Sequence, residues 1–581
     1  MQSLIPCPAS SRTRVFTLLR RAFPSLLLTA LTMAQTAQAA TPEEELLRQR
    51  ERERVLRDQL ETRPDIRLEA LPQEEAARLP REETPCFRID QIELIGEAAE
   101  QFQWALQAAN PEDDPALGRC LGSQGINLTM KRIQNAIIAK GYVTTRVLAG
   151  AQDLNSGVLT LTLLPGRISD IRFDEETSKR ANTFNAMPAS PGDLLNLRDI
   201  EQALENFKRV PTVEADIRIV PASASGARPG ESDVVIAWRQ RFPARVSLSL
   251  DNGGSKSTGK YQGAVALSLD NPLTLNDLFY ASFNHDLGGG EDGDRGSKGH
   301  TLHYSVPYDY WQLAFTSSEY DYHQTIAGIN QDFLYRGESR NNELRLSRLV
   351  YRDAVRKTTL WGSLWTRSSE NFIDDTEIQQ QRRRMAGWQG GVGHREFIGP
   401  ATFDLSLSYR RGTGAHRALE APEQSFGDGT SRSQIILADS QWQVPFNVYD
   451  QRLRYLGAWR AQWNRTNLVP QDRFSIGGRY TVRGFDGENI LSADRGWTLS
   501  NELGLALGDS GQELYAGIDY GEVGGNSADY LIGRRLAGAV VGLRGAYRNL
   551  SYDWSWGTPL KKPEGFKTAD YTSAFTVVLS F

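Results

Sequence analysis

The chain has 581 residues, 40% hydrophobic and 24% charged, and its 66 basic and 71 acidic side chains leave a net charge of −5. A slightly acidic chain with no basic stripe excludes nucleic acid as its partner class. A mean hydropathy of −0.45, with no apolar run of ~20 residues, excludes a bundle of transmembrane helices.

The N-terminus reads as an address. Residues 1–40 hold Arg12, Arg14, Arg20 and Arg21 and no acid, then an apolar stretch from Ala22 to Ala34, then Ala37-Gln38-Ala39. That order of basic, apolar and small-x-small segments is a secretory signal peptide. Its removal takes Cys7 and leaves Cys86 and Cys120 in a compartment that tolerates disulfides, where they are expected to pair. On the chain-entropy model such a closure stabilises the domain by about 3–4 kcal/mol.

Thr41-Pro42-Glu43-Glu44 carries a cap, a first-turn proline and first-turn acids, so a helix is expected to fill most of 41–62. Its apolar residues, Leu46, Leu47, Val55, Leu56 and Leu60, are too few on one face to dock on an ordinary core. A helix this polar is either solvated or made for a water-filled cavity. Residues 63–85, with Pro64, Pro72, Pro80 and Pro85 among many charges, read as an extended linker.

Two small α+β modules follow, 86–165 and 166–240. In the first, Phe87 to Leu94 alternates as a half-buried strand. Phe102, Leu106 and Ala109 share a helical face, and Asn127 is placed to cap a second helix carrying Met130, Ile133, Ile137 and Ile138. Two further β-rich stretches, 142–148 and 158–164, complete it. The second module repeats part of this order: a strand at 168–173, a helix at 196–209 with Leu197, Ile200, Leu204 and Phe207 on one side, and strands at 213–220 and 232–238.

From residue 241 to 581 the period is two. Val246, Leu248 and Leu250 alternate with Arg245, Ser247 and Ser249, and Tyr571, Ser573, Phe575, Val577, Leu579 and Phe581 end the chain in the same rhythm. Of the 12 Trp and 20 Tyr, 10 and 19 lie beyond residue 240. Short alternating segments, Gly-rich loops and an aromatic excess mark a transmembrane antiparallel β-barrel, for which this length allows roughly 14–18 strands. Gly254-Ser255-Lys256-Ser257-Thr258-Gly259-Lys260 imitates the start of a phosphate-binding loop, but Tyr261 stands at the Ser/Thr position and the flanks read as strands. It is read as a turn. With no CxxC, no HExxH and no nucleophile or paired-carboxylate constellation, neither metal, cofactor nor catalytic residue is expected.

The string Phe474-Ser475-Ile476-Gly477-Gly478-Arg479-Tyr480-Thr481-Val482-Arg483-Gly484-Phe485 resembles the Val-Arg-Gly-Phe/Tyr loop of the POTRA–barrel superfamily. More narrowly, the chain resembles the two-partner secretion transporters of the ShlB/FhaC/HecB family. The stretch 141–146 with Gln152-Asp153-Leu154 resembles that family's first POTRA module, 196–205 its second, and Tyr304-Ser305-Val306-Pro307 and the 557–563 segment its barrel strings. Asp309 departs from the pattern, standing where Gly is expected in the turn after Pro307.

The resemblance implies an outer-membrane barrel of 16 strands that exports an unfolded partner exoprotein, an adhesin, haemolysin or contact-dependent toxin. The POTRA modules would lie in the periplasm and capture the partner's N-terminal secretion domain. The 41–62 helix would resemble the family's plug, and Val482, Arg483, Gly484 and Phe485 would fold into the lumen. Arg483 would meet the inward acids Glu502 and Asp519, and Phe581 would serve as the β-signal read by the barrel-assembly machinery. The expected partners are therefore the exoprotein, outer-membrane lipids and that machinery, around a monomer. The alternatives are a BamA-like assembly factor, and a porin or barrel enzyme.

Overall fold

The computed structural model describes residues 41–61, 64–68, 78–223 and 225–581; the expected signal peptide and the middle of the expected linker lie outside them. Helix α1, Pro42–Leu60, starts where the sequence places it. Thr41 Oγ1 accepts from the Glu44 amide at 3.4 Å and Glu44 Oε2 accepts from the Thr41 amide at 2.9 Å, a reciprocal cap.

The first module is a three-stranded sheet in which Val158–Leu164 lies between Gln91–Ile95, parallel to it, and Arg146–Leu148, antiparallel. A 3₁₀ helix, Ala99–Ala109, and helix α2, Ser123–Ala139, cover one face. Phe102, Ile133, Ile137, Leu159 and Leu161 form its core. Two local expectations need correcting. The Phe87–Leu94 strand is broken: Phe87–Arg88 pairs with Cys120–Leu121 and only Gln91–Ile95 joins the sheet. The Cys86–Cys120 disulfide, with Cα atoms 5.2 Å apart, holds that first piece beside the start of α2. Asn127 does not cap α2, which begins at Ser123. The Glu83 carboxylate does so from the linker, accepting from the amides of Gly122, Gln124 and Gly125 at 2.7, 2.9 and 3.0 Å. A carboxylate at a helix N-terminus is favoured by the dipole as well as by the free amides.

The linker is pinned a second time at Asp114. Its buried carboxylate accepts from the Leu79 amide at 2.8 Å and pairs with Arg132 and Arg119. Burial alone would raise this carboxyl; the Leu79 hydrogen bond and the Arg132 guanidinium outweigh it and hold the group below the usual carboxylate range. The stabilisation is therefore present above the ordinary carboxylate pKa and is lost as pH falls through the lowered one.

The second module has the same sheet order, with Glu231–Gln240 between Arg167–Phe173, parallel, and Val213–Pro221, antiparallel. Helix α3, Leu197–Lys208, is capped by Asn196 and buries Leu197, Ile200, Leu204 and Phe207. The last three join Ile168, Val234, Ile236 and Trp238 in one core.

The remainder is a closed antiparallel barrel of 16 strands. The strands run from 8 residues, Ala244–Asp251, to 21, Asp332–Arg352. Leu248, Leu313, Phe315, Leu344, Leu364, Leu407, Leu503 and Trp554 face outward and stay exposed, the apolar belt that lipid requires. The ring closes on a short seam in which Ser247–Asp251 pair with Thr576–Ser580. Beyond them the Val246 and Phe581 amides and carbonyls exchange hydrogen bonds of 3.1 and 2.9 Å.

Asp309 sits in the two-residue turn between strands Gly296–Tyr308 and Trp311–Ala327. Its φ of +51° is the left-handed conformation that glycine would supply and that Asp tolerates. The turn is held from outside: the Asp309 carbonyl accepts from Asn206 of α3 at 2.8 Å, and its amide donates to the Asn185 carbonyl at 2.9 Å. The departure from glycine thus leaves the turn intact.

Two measurements test these placements. Asp114→Asn is expected to lower the stability of the first module by about 1–3 kcal/mol, read as faster proteolysis within 78–165 at neutral pH. Deleting Phe581 removes the last two hydrogen bonds of the seam. It is expected to lower the temperature at which the folded barrel unfolds on a semi-native gel.

Candidate functional site

The site is the barrel lumen. Loop 465–494 joins strands Gln451–Asn464 and Arg495–Ala506 and lies against the inner wall. Its short strands Phe474–Ile476 and Leu491–Ala493 pair, and Ile476, Val482, Phe485, Leu491 and Ala493 pack with Val523, Leu536 and Phe566. The Phe485 ring meets Phe566 edge-on at 5.9 Å.

Arg483 is brought to both expected acids. Its Nε and Nη2 donate to Asp519 Oδ2 and Oδ1 at 2.8 and 2.9 Å, and its amide also donates to Asp519 Oδ2, at 2.9 Å. Nη1 donates to Glu502 Oε2 at 2.5 Å. The planar guanidinium is the group suited to such a two-sided grip. The wall continues the alternation beyond what the sequence suggested. Glu502 also takes Arg544 Nη2 at 2.5 Å, and Glu513 joins Arg544 to Arg454, each at 2.8 Å. Asp519, Arg483, Glu502, Arg544, Glu513 and Arg454 form one ribbon of alternating charge.

Glycines make room for the loop. Gly484 has φ +102°, and a side chain there would press the Thr558 carbonyl at 2.6 Å. On the wall, a Cβ at Gly538 would overlap the Arg483 carbonyl, and one at Gly557 would lie 2.7 Å from the Gly484 Cα. The smooth strip is needed because backbone lies directly on backbone.

Helix α1 touches the inner wall on several sides. Glu51 pairs with Arg460 at 3.0 Å and Gln49 accepts from Ser339 at 3.0 Å, while Arg50 lies 3.9 Å from Asp472 of loop 465–494. At the C-terminal end the Leu60 carbonyl accepts from Arg245 at 3.3 Å, and Glu61 lies 3.1 Å from His303 Nε2. At the other end, Glu45 is buried. It accepts from Ser255 at 3.2 Å, Thr258 at 3.1 Å and Tyr320 at 3.0 Å, and it pairs with Arg48. Arg48 in turn donates to the Gly487 carbonyl at 2.6 Å, and the Lys256 amide donates to Glu488 at 3.1 Å. The string that imitates a phosphate loop is therefore a hydroxyl cradle for a carboxylate of α1. It joins the helix, the first barrel connection and the loop carrying Arg483 into one knot.

The structure brings together Arg483, Glu502 and Asp519, the meeting that the resemblance implies. Sequence reasoning missed Glu45, Arg48, Ser255, Thr258, Glu488, Arg544 and Glu513. Residues 513, 515, 517 and 519 share a face by the period of two, so Glu513 was within reach of that rule. No local signal joins Glu45 to Ser255. Among the described residues no cluster suited to a metal ion is present.

The family model described as haemolysin secretion/activation protein ShlB/FhaC/HecB matches residues 230–545. A ShlB-type POTRA domain matches 87–166 and a further POTRA domain matches 167–221. The chain is 37% identical over 589 residues to outer membrane transporter CdiB-2 of Burkholderia pseudomallei (strain 1026b), covering 96% of this chain and 99% of that one. It is 30% identical to outer membrane transporter CdiB of Dickeya dadantii (strain 3937), covering 86% and 87%. Among solved structures, CdiB from Acinetobacter baumannii superposes with a TM-score of 0.82 at 30% identity, covering 94% of this chain and all of that one.

The knot at Glu45 yields a prediction. Glu45→Ala removes the acceptor shared by Ser255, Thr258 and Tyr320 and the ion-pair partner of Arg48, and is expected to favour helix displacement by about 5–150-fold, the equivalent of ~1–3 kcal/mol. Single-channel recordings in planar bilayers should show a matching rise in open time.

Proposed function

We infer the working of this protein from one premise: the chain belongs to the ShlB/FhaC/HecB family, and it is an outer-membrane transporter of two-partner secretion. Its POTRA modules stand on the periplasmic side, and the connection 252–261 and loop 465–494 lie at the opposite end of the barrel.

We propose that the protein acts as a monomer on one large exoprotein. The POTRA modules capture the partner's N-terminal secretion domain by pairing it to a sheet edge, with pockets adding selectivity. Helix α1 is the resting occupant of the lumen and leaves when the partner enters unfolded. The loop 482–485 stays clamped by Arg483 as the fixed element past which the chain moves. Phe581 carries the terminal signal for insertion. Folding of the partner outside draws it through, without nucleotide.

The observation that carries this reading is the contrast between the two objects in the lumen. The loop is held by an apolar cluster and a charge-paired arginine. Helix α1 touches the wall mainly through polar groups that water can replace, its apolar contact with the wall being Leu60, with Leu56 against it, on Ala266, Leu278 and Tyr280.

Arg483→Ala is expected to leave a heat-modifiable barrel in the membrane while secretion of the partner falls at least about tenfold, because two inward acids lose the guanidinium that pairs them. Immunoblots of culture supernatant against outer-membrane fractions measure both quantities, and unchanged secretion would sink the clamp.

A further inference from the structure

The segment Pro64–Leu68 lies between α3 and the barrel rim, and the way it is held is unusual. The Ile66 amide donates to Glu205 Oε1 at 2.9 Å, and the Leu68 amide donates to Glu201 Oε1 at 2.7 Å. The Ile66 carbonyl accepts from Arg352 Nη2 at 2.6 Å. These are main-chain groups, read by side chains. Glu201 and Glu205 stand one turn apart on α3, so their carboxylates repeat at about 5–6 Å. Alternate amides of an extended chain repeat at about 6.5–7 Å, close enough for both to be met at once.

The slot is built and charge-balanced. The Arg352 side chain is only 2% exposed and pairs with Glu201 and Glu205, each at 2.9 Å, and Lys357 joins Glu205 at 2.5 Å. Two acids that would otherwise be costly to bury are thus held ready as acceptors.

Alternate side chains are sorted as well. Ile66 and Leu68 pack on the core of the second module. Asp65 and Arg67 turn to the barrel. Asp65 pairs with Lys357 at 2.8 Å and with Arg395, and Arg67 lies 4.1 Å above the Phe397 ring. Main-chain bonds together with pockets for every second side chain are the mode by which proteins bind extended peptides.

We propose that the groove formed by Glu201, Glu205, Arg352 and the adjoining apolar edge of the second module is a binding slot for extended polypeptide with apolar residues at alternate positions. Residues 64–68 are its resident occupant in the closed state, and a β-type segment of the exported chain replaces them. The slot differs from edge-strand capture on the POTRA sheets, because its acceptors are carboxylates on a helix. The proposal rests on the export reading for its biological occupant, but not for its chemistry.

The test uses the full-length protein in detergent and a fluorescent peptide with the sequence of residues 62–70. Asp65→Ala combined with Arg67→Ala removes the resident segment's anchors to the barrel and leaves the slot's own acceptors in place. The variant is expected to bind the peptide at least about tenfold more tightly than the unmodified protein. A peptide N-methylated at the positions of Ile66 and Leu68 should lose that gain. A peptide with Ser at the positions of Asp65 and Arg67 should bind both proteins more weakly and still prefer the variant. No gain for the variant, or equal binding of the N-methylated peptide, would overturn the slot. A variant that binds as expected while secreting nothing would keep the slot and count against the export role.

Discussion

A sheet inside hydrocarbon cannot leave an edge, because each unpaired amide or carbonyl there costs several kcal/mol. The closure of strand Ala244–Asp251 on Thr572–Ser580 is the contact on which the rest depends. Once the sheet is closed, its period of two sends one set of side chains to lipid and the other to the lumen. The outer set can be apolar without limit. The inner set faces a polar space, so whatever rests there must be polar too. The charge of α1 follows from that constraint rather than from any helix preference.

The same constraint decides how firmly each occupant is held. A hydrogen bond exchanged with water is worth only about 0.5–1.5 kcal/mol net. Helix α1 makes many such contacts, and the apolar side chains it buries are Leu46 and Leu60. Its pose is well specified and its release is cheap relative to the number of bonds involved. The loop carrying Arg483 differs. It has a small apolar core of its own, in which each Ile, Val, Leu or Phe is worth about 1.5–3 kcal/mol when fully buried. Arg483 then fixes that core to two strands through acids that face inward. The glycine strip at Gly538 and Gly557 lets the loop lie flat, so it takes little of the lumen's width.

Much of this was legible in the residues. The shift of period after residue 240, the aromatic crowding and the capped polar helix are local signals, and local signals survive without a structure. The Arg483 pairings were reached only through the resemblance, since an arginine in a glycine-rich loop has no distinctive pattern of its own. What escaped was set by distance along the chain. Glu45 meets Ser255 across 210 positions and Tyr320 across 275. The α2 cap was misplaced for a related reason: Asn127 is a good cap by type, but Glu83, 39 residues before Gly122, reached the helix end first.

The linker carries a further consequence. An α-helix rises about 1.5 Å per residue, so the 19 residues of α1 span ~28 Å. To withdraw toward the periplasm, the helix must travel about its own length on whatever slack the chain gives. While Asp65, Ile66 and Leu68 are bound at the barrel rim, the chain from Glu61 to Pro64 can extend only ~10 Å at about 3.3–3.6 Å per residue. If the same segment lets go, the next anchor among the described residues is Leu79, held at Asp114. The chain from Glu61 to that point can then extend to ~60 Å on the same rise. Withdrawal of the helix therefore requires the 64–68 segment to leave its groove first, while the Leu79, Glu83 and Cys86 attachments to the first module can all stay in place. On the proposed export route, chain length sets the order: the rim segment lets go, then the helix leaves the lumen.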